Sequence, residues 1–520
     1  MHFQMTQTLH RLIQQKPNQE AYHYRNRRRT WTEFGDRVAR LASCLQAFGM
    51  EGGDRVGILA LNSDRYLEYM MGVWWGGGAL NPVNTRWSVA EIAYSLDDCN
   101  TQILLIDEHF APLAEELRAR SKSLKTIIFA GDGVAPEGLP NYEELLKQYP
   151  PVQDAERQDQ DLAGVFYTGG TTGFPKGVML SHTNLLSNAL AYLLDLDYRE
   201  DEVVLCAAPI FHQAGMCVVI RAFVRGCRCT IINGFDTLEI LEAIEKEKVT
   251  FTLLVPTMIQ CIVDHPEVAN YDLSSLRRIL YGASPISEGL LERSFSALPN
   301  VEFLQGYGMT ETGGPYTVLS AFCHTPLGRN PDRLRSAGKT IWGMEIRIIG
   351  DDGKQLPNGQ VGEVISRGPG VMLGYWNRPE ETTKTMVNGW VHSGDAGYLD
   401  DEGYLFLVDR VKDMIVSGGE NVYSSEVENA ISLHPDVACS AVIGIPSERW
   451  GEAVHALVVL HQGRNMTPEA LRAHCKELIA GYKCPVSVEF RESLPVTGAG
   501  KIQKNELRAP YWKDHSRRVG

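Results

Sequence analysis

The stretch Tyr167–His182 reads YTGGTTGFPKGVMLSH. It carries four glycines, four Thr or Ser residues and one lysine. Glycine lets successive backbone N–H groups converge on an anion, hydroxyls add donors, and a lysine adds charge. The stretch therefore reads as a grip for phosphate. It departs from the G-x-x-x-x-G-K-[ST] phosphate loop: counted from Gly170, Pro175 precedes Lys176 and Gly177 follows it. An ordinary P-loop fold is not the expectation.

The surrounding pattern gives the fold class. Up to about residue 330, short apolar strands alternate with amphipathic helices. DRVGILAL (54–61) precedes SDRYLEYMMGVWWGG (63–77), TQILLID (101–107) precedes APLAEELRAR (111–120), and KVTFTLLVP (248–256) leads on to LRRILYGAS (276–284). This is α/β with mostly parallel, buried strands. From about 335 to 410 short strands meet at turn signals, DDG (351–353), PNG (357–359) and DEG (401–403), as in a small antiparallel, barrel-like unit. After Arg410 α/β texture returns: SSEVENAIS (424–432), CSAVIGI (439–445), HALVVL (455–460), PEALRAHCKELI (468–479) and KNELR (504–508). The expected organisation is an N-terminal domain over 1–410, β-rich from about 335, and a small α+β domain over 411–520.

Composition narrows the function. With 520 residues, 44% hydrophobic and 22% charged, the chain has the make-up of a globular enzyme. A net charge of −14 argues against nucleic-acid binding. The basic run RNRRR (25–29) reads as an exposed hairpin end. Eleven scattered cysteines without a CxxC pair read as buried, reduced thiols in a cytoplasmic protein. VVLCAAPIFHQAGMCVVI (203–220) is uncharged and long enough to span a bilayer, but Pro209, His212, Gln213 and Gly215 interrupt it. A buried strand, a turn and the start of a buried helix fit it better. Peripheral membrane contact stays open.

Further stretches match in order as well as kind: FHQAG (211–215), YGASP (281–285), QGYGMTE (305–311), HSGD (392–395), DRVKDMIVSGGENVYSSEVE (409–428), RWGE (449–452) and PVTGAGKIQK (495–504). Together with the opening stretch they resemble the adenylate-forming family of acyl-CoA synthetases, adenylation domains and luciferases. The resemblance covers nearly the whole chain. It implies a large N-terminal domain, a small mobile C-terminal domain, and two steps. A carboxylate attacks the α-phosphate of ATP, giving acyl-adenylate and pyrophosphate; a thiol then displaces AMP.

The resemblance also assigns residues. Thr168, Gly169, Gly170, Thr171, Thr172, Gly173 and Lys176 hold the β and γ phosphates; many relatives carry serine where this chain has Gly169. Gly282, Ala283 and Ser284 form the adenine platform, and Gln305, Gly306, Tyr307 and Gly308 continue the nucleotide site, with the Tyr307 ring stacked on adenine. Thr310 donates to the α-phosphate and Glu311 ligates Mg2+. Asp395 accepts the ribose hydroxyls, Arg410 contacts the ribose, and Lys412 is the hinge. Lys501 bridges the acid carboxylate and the α-phosphate, where its charge cancels the repulsion between two anions. His212 lies where the acyl pocket meets the thiol tunnel; on its own it reads equally as a core histidine.

Coenzyme A is the implied thiol, passing Gly418 and Gly419 and stacking on Trp450. Gly306, Gly308, Gly313 and Gly314 leave room in the acyl pocket for a bulky apolar acid. The expected substrate is a medium- or long-chain fatty acid. An aryl acid, or a stand-alone enzyme loading a carrier protein, is the alternative, and a homodimer stays open. The P-x-x-x-x-G-K spacing ending at Lys501 also resembles that of synthetases silenced by a lysine acetyltransferase.

Overall fold

A computed structural model describes residues 2–168, 175–196, 198–284, 286–410, 413–417, 420–447, 449–497 and 500–513, with the side chains of Pro331, Asp409, Arg410 and Asn421 left aside. Among the described residues four sheets form the frame. Two are built largely from parallel, fully buried strands. One runs Lys339–Thr340, Gly314–Leu319, Glu302–Met309, Arg278–Gly282, Phe251–Leu254, Val203–Cys206, Arg228–Ile231, Glu20–Tyr24, Arg27–Thr30. The other runs Gly374–Tyr375, Lys176–Ser181, Leu162–Thr168, Ala79–Pro82, Arg55–Leu59, Ile103–Ile106, Thr126–Phe129. Their inner strands are apolar on both faces because helices cover both sides. A third, antiparallel sheet holds Glu345–Ile349, Gly362–Arg367, Trp390–Leu399 and Leu405–Arg410. Its DDG, PNG and DEG turns end on Gly353, Gly359 and Gly403, each at positive φ. The fourth sheet, from Ile415 onward, carries the helices Ser424–Ser432 and Pro468–Leu478.

The glycine-rich stretch differs from a P-loop in topology as well as in sequence. The strands Leu162–Thr168 and Lys176–Ser181 are antiparallel, and their last pair is Thr168 with Lys176. A helix, His182–Leu196, follows the second strand and not the loop. Ser181 and Asn184 exchange hydrogen bonds at its start, and the Asn184 amide donates to the carbonyls of Pro369 and Val371.

The uncharged run 203–220 folds as the buried strand Val203–Cys206 and the helix Gln213–Arg225. No described helix is long and apolar enough to cross a membrane. The arginine run does form a hairpin, with Arg25 at φ 54°. It is not simply solvated. Arg27 forks onto Asp64 at 2.7 and 2.8 Å and reaches Asp132 at 2.6 Å, and Arg28 reaches Glu247 at 2.8 Å. The carboxylates come from distant segments, so charge pattern alone did not reveal them. The cysteines are all free thiols; most are buried, but Cys261 is exposed and Cys439 half-buried.

The C-terminal unit rests on the rest of the chain through a few polar contacts. Gln260 donates to the Ala438 carbonyl at 2.7 Å, and Asn429 donates to Glu288 at 3.2 Å while accepting from its backbone N–H at 3.3 Å. A Cβ on Gly289 would stand 2.6 Å from the Ser432 carbonyl oxygen, so the two backbones touch.

Two buried histidines give the fold an acid limit. His182 accepts from the Met5 N–H at 3.3 Å, and His324 lies between the Tyr281 hydroxyl, 2.8 Å, and the Ser320 carbonyl, 3.0 Å. Burial pushes both down from 6.5 to about 4. The unfolded chain therefore takes up protons that the folded chain refuses as pH falls through 6.5. Stability should hold above pH 7 and drop by about 2 kcal/mol per histidine between pH 7 and 5. Urea denaturation at the two pH values measures this, and His324→Gln should remove its own share of the slope.

Candidate active site

The site is built where the large sheet reverses direction. Arg278–Gly282 runs parallel to Glu302–Met309, which turns back as the antiparallel strand Gly314–Leu319. Gly282 faces Gly306, and a Cβ on Gly282 would stand 2.2 Å from the Gly306 carbonyl oxygen. Glycine is needed there so that two backbones can approach, whatever else lies above them. Ala283 follows with φ 64°, a left-handed conformation that costs an alanine about 1 kcal/mol. It re-aims the chain at the strand end, before the half-buried Ser284. The Gln305 side chain accepts a long hydrogen bond, 3.4 Å, from the Tyr281 hydroxyl.

Tyr307 and Asp395 are joined directly. The Tyr307 hydroxyl donates to Asp395 Oδ2 at 2.7 Å, and its ring meets Tyr316 edge-on at 5.2 Å. An aromatic face and a carboxylate are thus fixed relative to one another, as a base and its sugar require. Across the third sheet Asp395 pairs in register with Arg410.

Thr310–Thr312 is one tight turn of helix, and Glu311 in it is buried. Glu311 Oε1 accepts from the Tyr375 hydroxyl at 2.7 Å, and the Lys176 ammonium stands 5.3 Å over the Tyr375 ring. Burial and the Glu311 carboxylate push the Tyr375 phenol up, so it stays a donor. Tyr375 links Lys176 of the glycine-rich stretch to the buried carboxylate. Sequence reading passed over it; the only signal was that Gly374–Tyr375 is a strand fragment between a glycine-rich turn and Trp376. The described residues hold no cluster of three His, Cys, Asp or Glu suited to a metal. A lone carboxylate held by a tyrosine does fit Mg2+, which binds through one or two carboxylates, its own waters and substrate phosphates.

His212 caps the helix Gln213–Arg225: its Nδ1 accepts from the Ala214 N–H at 3.2 Å, which leaves the proton on Nε2. The ring is half-buried but crowded by protein, and desolvation together with the Lys501 charge holds it down at about 4. Lys501 arrives on a loop closed by a bridge between Val496 and Ile502. The Thr497 N–H donates to the Lys501 carbonyl at 2.7 Å and the Lys501 N–H to Thr497 Oγ1 at 3.1 Å. Arg86 donates to the Thr497 carbonyl at 2.8 Å. Gly500, at φ 77°, lies so close to Val255 and Thr257 that a Cβ would stand 2.8 and 3.1 Å from their side chains.

The argument from empty volume in the acyl pocket does not hold. A Cβ on Gly306 would meet Tyr192 Oη at 2.4 Å; on Gly308, the Gly314 carbonyl oxygen at 2.4 Å; on Gly313, the Gly370 carbonyl oxygen at 2.8 Å; on Gly314, Cys217 Sγ at 2.7 Å. These glycines admit neighbouring protein atoms, not spare space for a ligand. Thr168 Oγ1 is 3.5 Å from the Lys176 carbonyl. Trp450 is 42% exposed, with the Arg449 guanidinium 4.5 Å over its ring. Gly169, Gly170, Thr171, Thr172, Gly173, Lys412, Gly418 and Gly419 lie outside the described residues, as does the Arg410 side chain.

Residues 9–376 match the family described as AMP-binding enzyme, and residues 426–501 match the AMP-binding enzyme C-terminal domain. The chain is similar to a feruloyl-CoA synthase of Amycolatopsis sp, 38% identical over 502 residues, 96% of this chain and 98% of the relative. It is also similar to a fatty acid–[acyl-carrier-protein] ligase of Streptomyces coeruleorubidus, 36% identical over 519 residues, 99% and 98% of the two chains. Among solved structures, an anthranilate CoA ligase in complex with anthranoyl-AMP superposes with a TM-score of 0.91 at 26% identity, covering 98% of this chain and 97% of the other.

The closeness of His212 and Lys501 has a measurable consequence. The Lys501 charge disfavours the imidazolium. Lys501→Gln should raise the His212 pKa, read by nitrogen NMR of the ring, while His182 and His324 stay put. An unmoved His212 would separate the two residues.

Proposed function

This chain belongs to the family of AMP-binding enzymes, and on that premise we propose which of its residues carry the reaction of an ATP-dependent, AMP-forming acid–CoA ligase. Such an enzyme joins a carboxylic acid to AMP with release of pyrophosphate, then transfers the acyl group to coenzyme A. The observation that carries the assignment is the docked loop of Lys501, whose charge is felt at His212 although it belongs to the far end of the chain.

Lys501 neutralises the carboxylate and the α-phosphate as they approach, a role worth roughly 10²–10³ in rate for one well-placed donor. Thr310 donates to the α-phosphate. Residues 168–173 and Lys176 hold the outer phosphates. Glu311, oriented by Tyr375, holds Mg2+; bound magnesium offsets the phosphate charge. Tyr307 stacks on adenine and Asp395 holds the ribose, their mutual hydrogen bond keeping both in place, with Arg410 opposite. His212, neutral at working pH and with its Nε2–H directed away from the helix backbone, lies beside the acyl group. Residues 411–520 act as the mobile lid, turning about Lys412. Gly418, Gly419 and the exposed Trp450 serve coenzyme A.

The acid belongs to the fatty or aryl class, the two classes named by the relatives described above. Loading of a carrier protein is the second reading, favoured by the fatty acid–[acyl-carrier-protein] ligase. Pyrophosphate release from ATP with a mixed acid library, followed by trapping with coenzyme A or with carrier protein, tests both. No pyrophosphate with any acid would end the ligase reading. Acetylation of Lys501, which removes its charge, would switch off the first step.

Lys501→Ala should slow adenylate formation by about 10²–10³ and spare acyl transfer from supplied acyl-adenylate. Single-turnover assays of each half-reaction separate these, and equal losses in both would remove Lys501 from the first step. Arg86→Ala, which releases the Thr497 carbonyl, should slow the first step by about tenfold, consistent with one lost charge-assisted hydrogen bond. It should leave the second step at the wild-type rate.

A further inference from the structure

Of the eleven cysteines, nine are buried, and the two that are not lie on opposite sides of one seam. Cys261 is exposed, on the helix Pro256–Val263 of the large unit. Cys439 is half-buried, near the start of the strand Val437–Ser447 in the C-terminal unit. Their chain neighbours touch: Gln260 Nε2 donates to the Ala438 carbonyl oxygen at 2.7 Å. The seam continues beside them, where Asn429 meets Glu288 and Gly289 lies against the Ser432 carbonyl. Nine buried thiols are ordinary packing. Two accessible ones on facing segments of different units are not.

The strand is irregular at this point. Val437 pairs with Leu460 and Cys439 with Val459, so Ala438 is the extra residue of a bulge. The bulge frees the Ala438 carbonyl from the ladder for Gln260. It also breaks the alternation. Val437 shares a core cluster with Val442, whereas Cys439 is in phase with Ala441 and Ile443, which pack in a different cluster. In an unbroken strand Cys439 would share the core face of Val437. Among the described strands this one pairs on one side only, which leaves its other edge to the large unit. The two thiols also sense each other. Burial pushes the Cys439 thiol up to about 11, and the charge of a Cys261 thiolate pushes the same way. Charge effects of this kind fade beyond ~10 Å. Burial, and after it the Asp264 carboxylate, raises the Cys261 thiol too. Both therefore rest as thiols, and neither is a standing nucleophile.

We propose that Cys261 and Cys439 form a reversible disulfide under peroxide, and that this bond holds the C-terminal unit in the arrangement that places Lys501 beside His212. The inference rests on the mobile-lid reading above. Cys261, the exposed thiol, meets the oxidant first. Its sulfur attacks one oxygen of hydrogen peroxide, the O–O bond breaks, hydroxide leaves, and a sulfenic acid forms. The Cys439 sulfur then attacks the sulfenic sulfur; the S–S bond forms and the S–O bond breaks. Two thiols and one hydrogen peroxide give one disulfide and two waters. The bond needs Cα atoms within about 7 Å of each other, a spacing to which a seam closed by replaceable hydrogen bonds can settle. Acyl transfer to coenzyme A requires the unit to turn, so the tied enzyme makes acyl-adenylate and stops there.

The test treats the whole enzyme with hydrogen peroxide at about pH 8.5, where thiolates become available. Free thiols are then capped with N-ethylmaleimide and the protein is digested. Mass spectrometry should find the peptides of Cys261 and Cys439 joined, and dithiothreitol should part them. The oxidised enzyme should keep single-turnover pyrophosphate release. Its acyl transfer from acyl-adenylate to coenzyme A should fall at least about tenfold, as a tied conformational step requires, and recover with dithiothreitol. Cys261→Ser and Cys439→Ser, each as active as the wild type when reduced, should form no such link and keep acyl transfer after the same treatment. Absence of the joined peptides in the wild type overturns the proposal and leaves the lid reading standing. Joined peptides with undiminished acyl transfer overturn the lock, and the lid reading with it. Equal losses in the wild type and both serine variants trace the effect to other thiols and also overturn the lock.

Discussion

Two anions do not approach one another unaided, and the architecture of this chain follows from that constraint. The cation proposed to solve it, Lys501, sits at the far end of the sequence, on a loop whose last turn must pass within van der Waals contact of Val255 and Thr257. Only glycine can occupy position 500, at positive φ and with no room for a Cβ. Arg86 then fixes the loop by its backbone, at the Thr497 carbonyl. Among the described residues the other contacts of the C-terminal unit include polar ones, Gln260 with Ala438, Glu288 with Asn429 and the Ser425 hydroxyl with the Val408 carbonyl. If the unit is the lid proposed above, docking for one step and leaving for the next, hydrogen bonds that water can replace serve it better than a shared apolar core.

The nucleotide side of the site is held differently. Tyr307 binds Asp395, and Tyr375 binds Glu311, so each proposed ligand-binding carboxylate is anchored by a phenol from a different segment. A carboxylate oxygen bound in this way cannot rotate freely, and its second oxygen is presented in one direction. Such support from behind is what keeps a binding geometry within the tolerance chemistry demands. The third sheet, where Asp395 lies, and the large sheet, where Tyr307 lies, are locked together by one of these bonds.

Much of this was legible in the sequence, and what was not has a physical reason. Alternating strand and helix patterns gave the parallel sheets, and Asp-Gly and Asn-Gly pairs gave the turns of the antiparallel unit, because both signals are local. The uncharged run 203–220 was resolved correctly as strand and helix, since Pro209 lies between the two and His212 caps the helix. Tyr375, Arg86 and the carboxylate partners of Arg27 and Arg28 were not legible, because each acts on a residue far away in the chain. The four glycines were noticed and misread. Sequence shows that a side chain is missing; only the fold shows that Tyr192, Cys217 and two backbone carbonyls already fill its place.

That misreading shifts where specificity resides. If the glycines at 306, 308, 313 and 314 are committed to close backbone packing, substitution there disturbs the sheet before it reshapes a pocket. The helix Gln213–Arg225 packs against these glycines, and because its backbone is satisfied internally its side chains can change without breaking a strand pair. Its face toward them carries an amide, a thiol and an arginine, with Gln213 donating to the Gly313 carbonyl and Arg221 to Asn188. One end of the helix is fixed by chemistry, since His212 caps it beside the Lys501 charge. Cys217, which fills the place of a Gly314 side chain, and His212, beside the Lys501 charge, thus lie on a single rigid element.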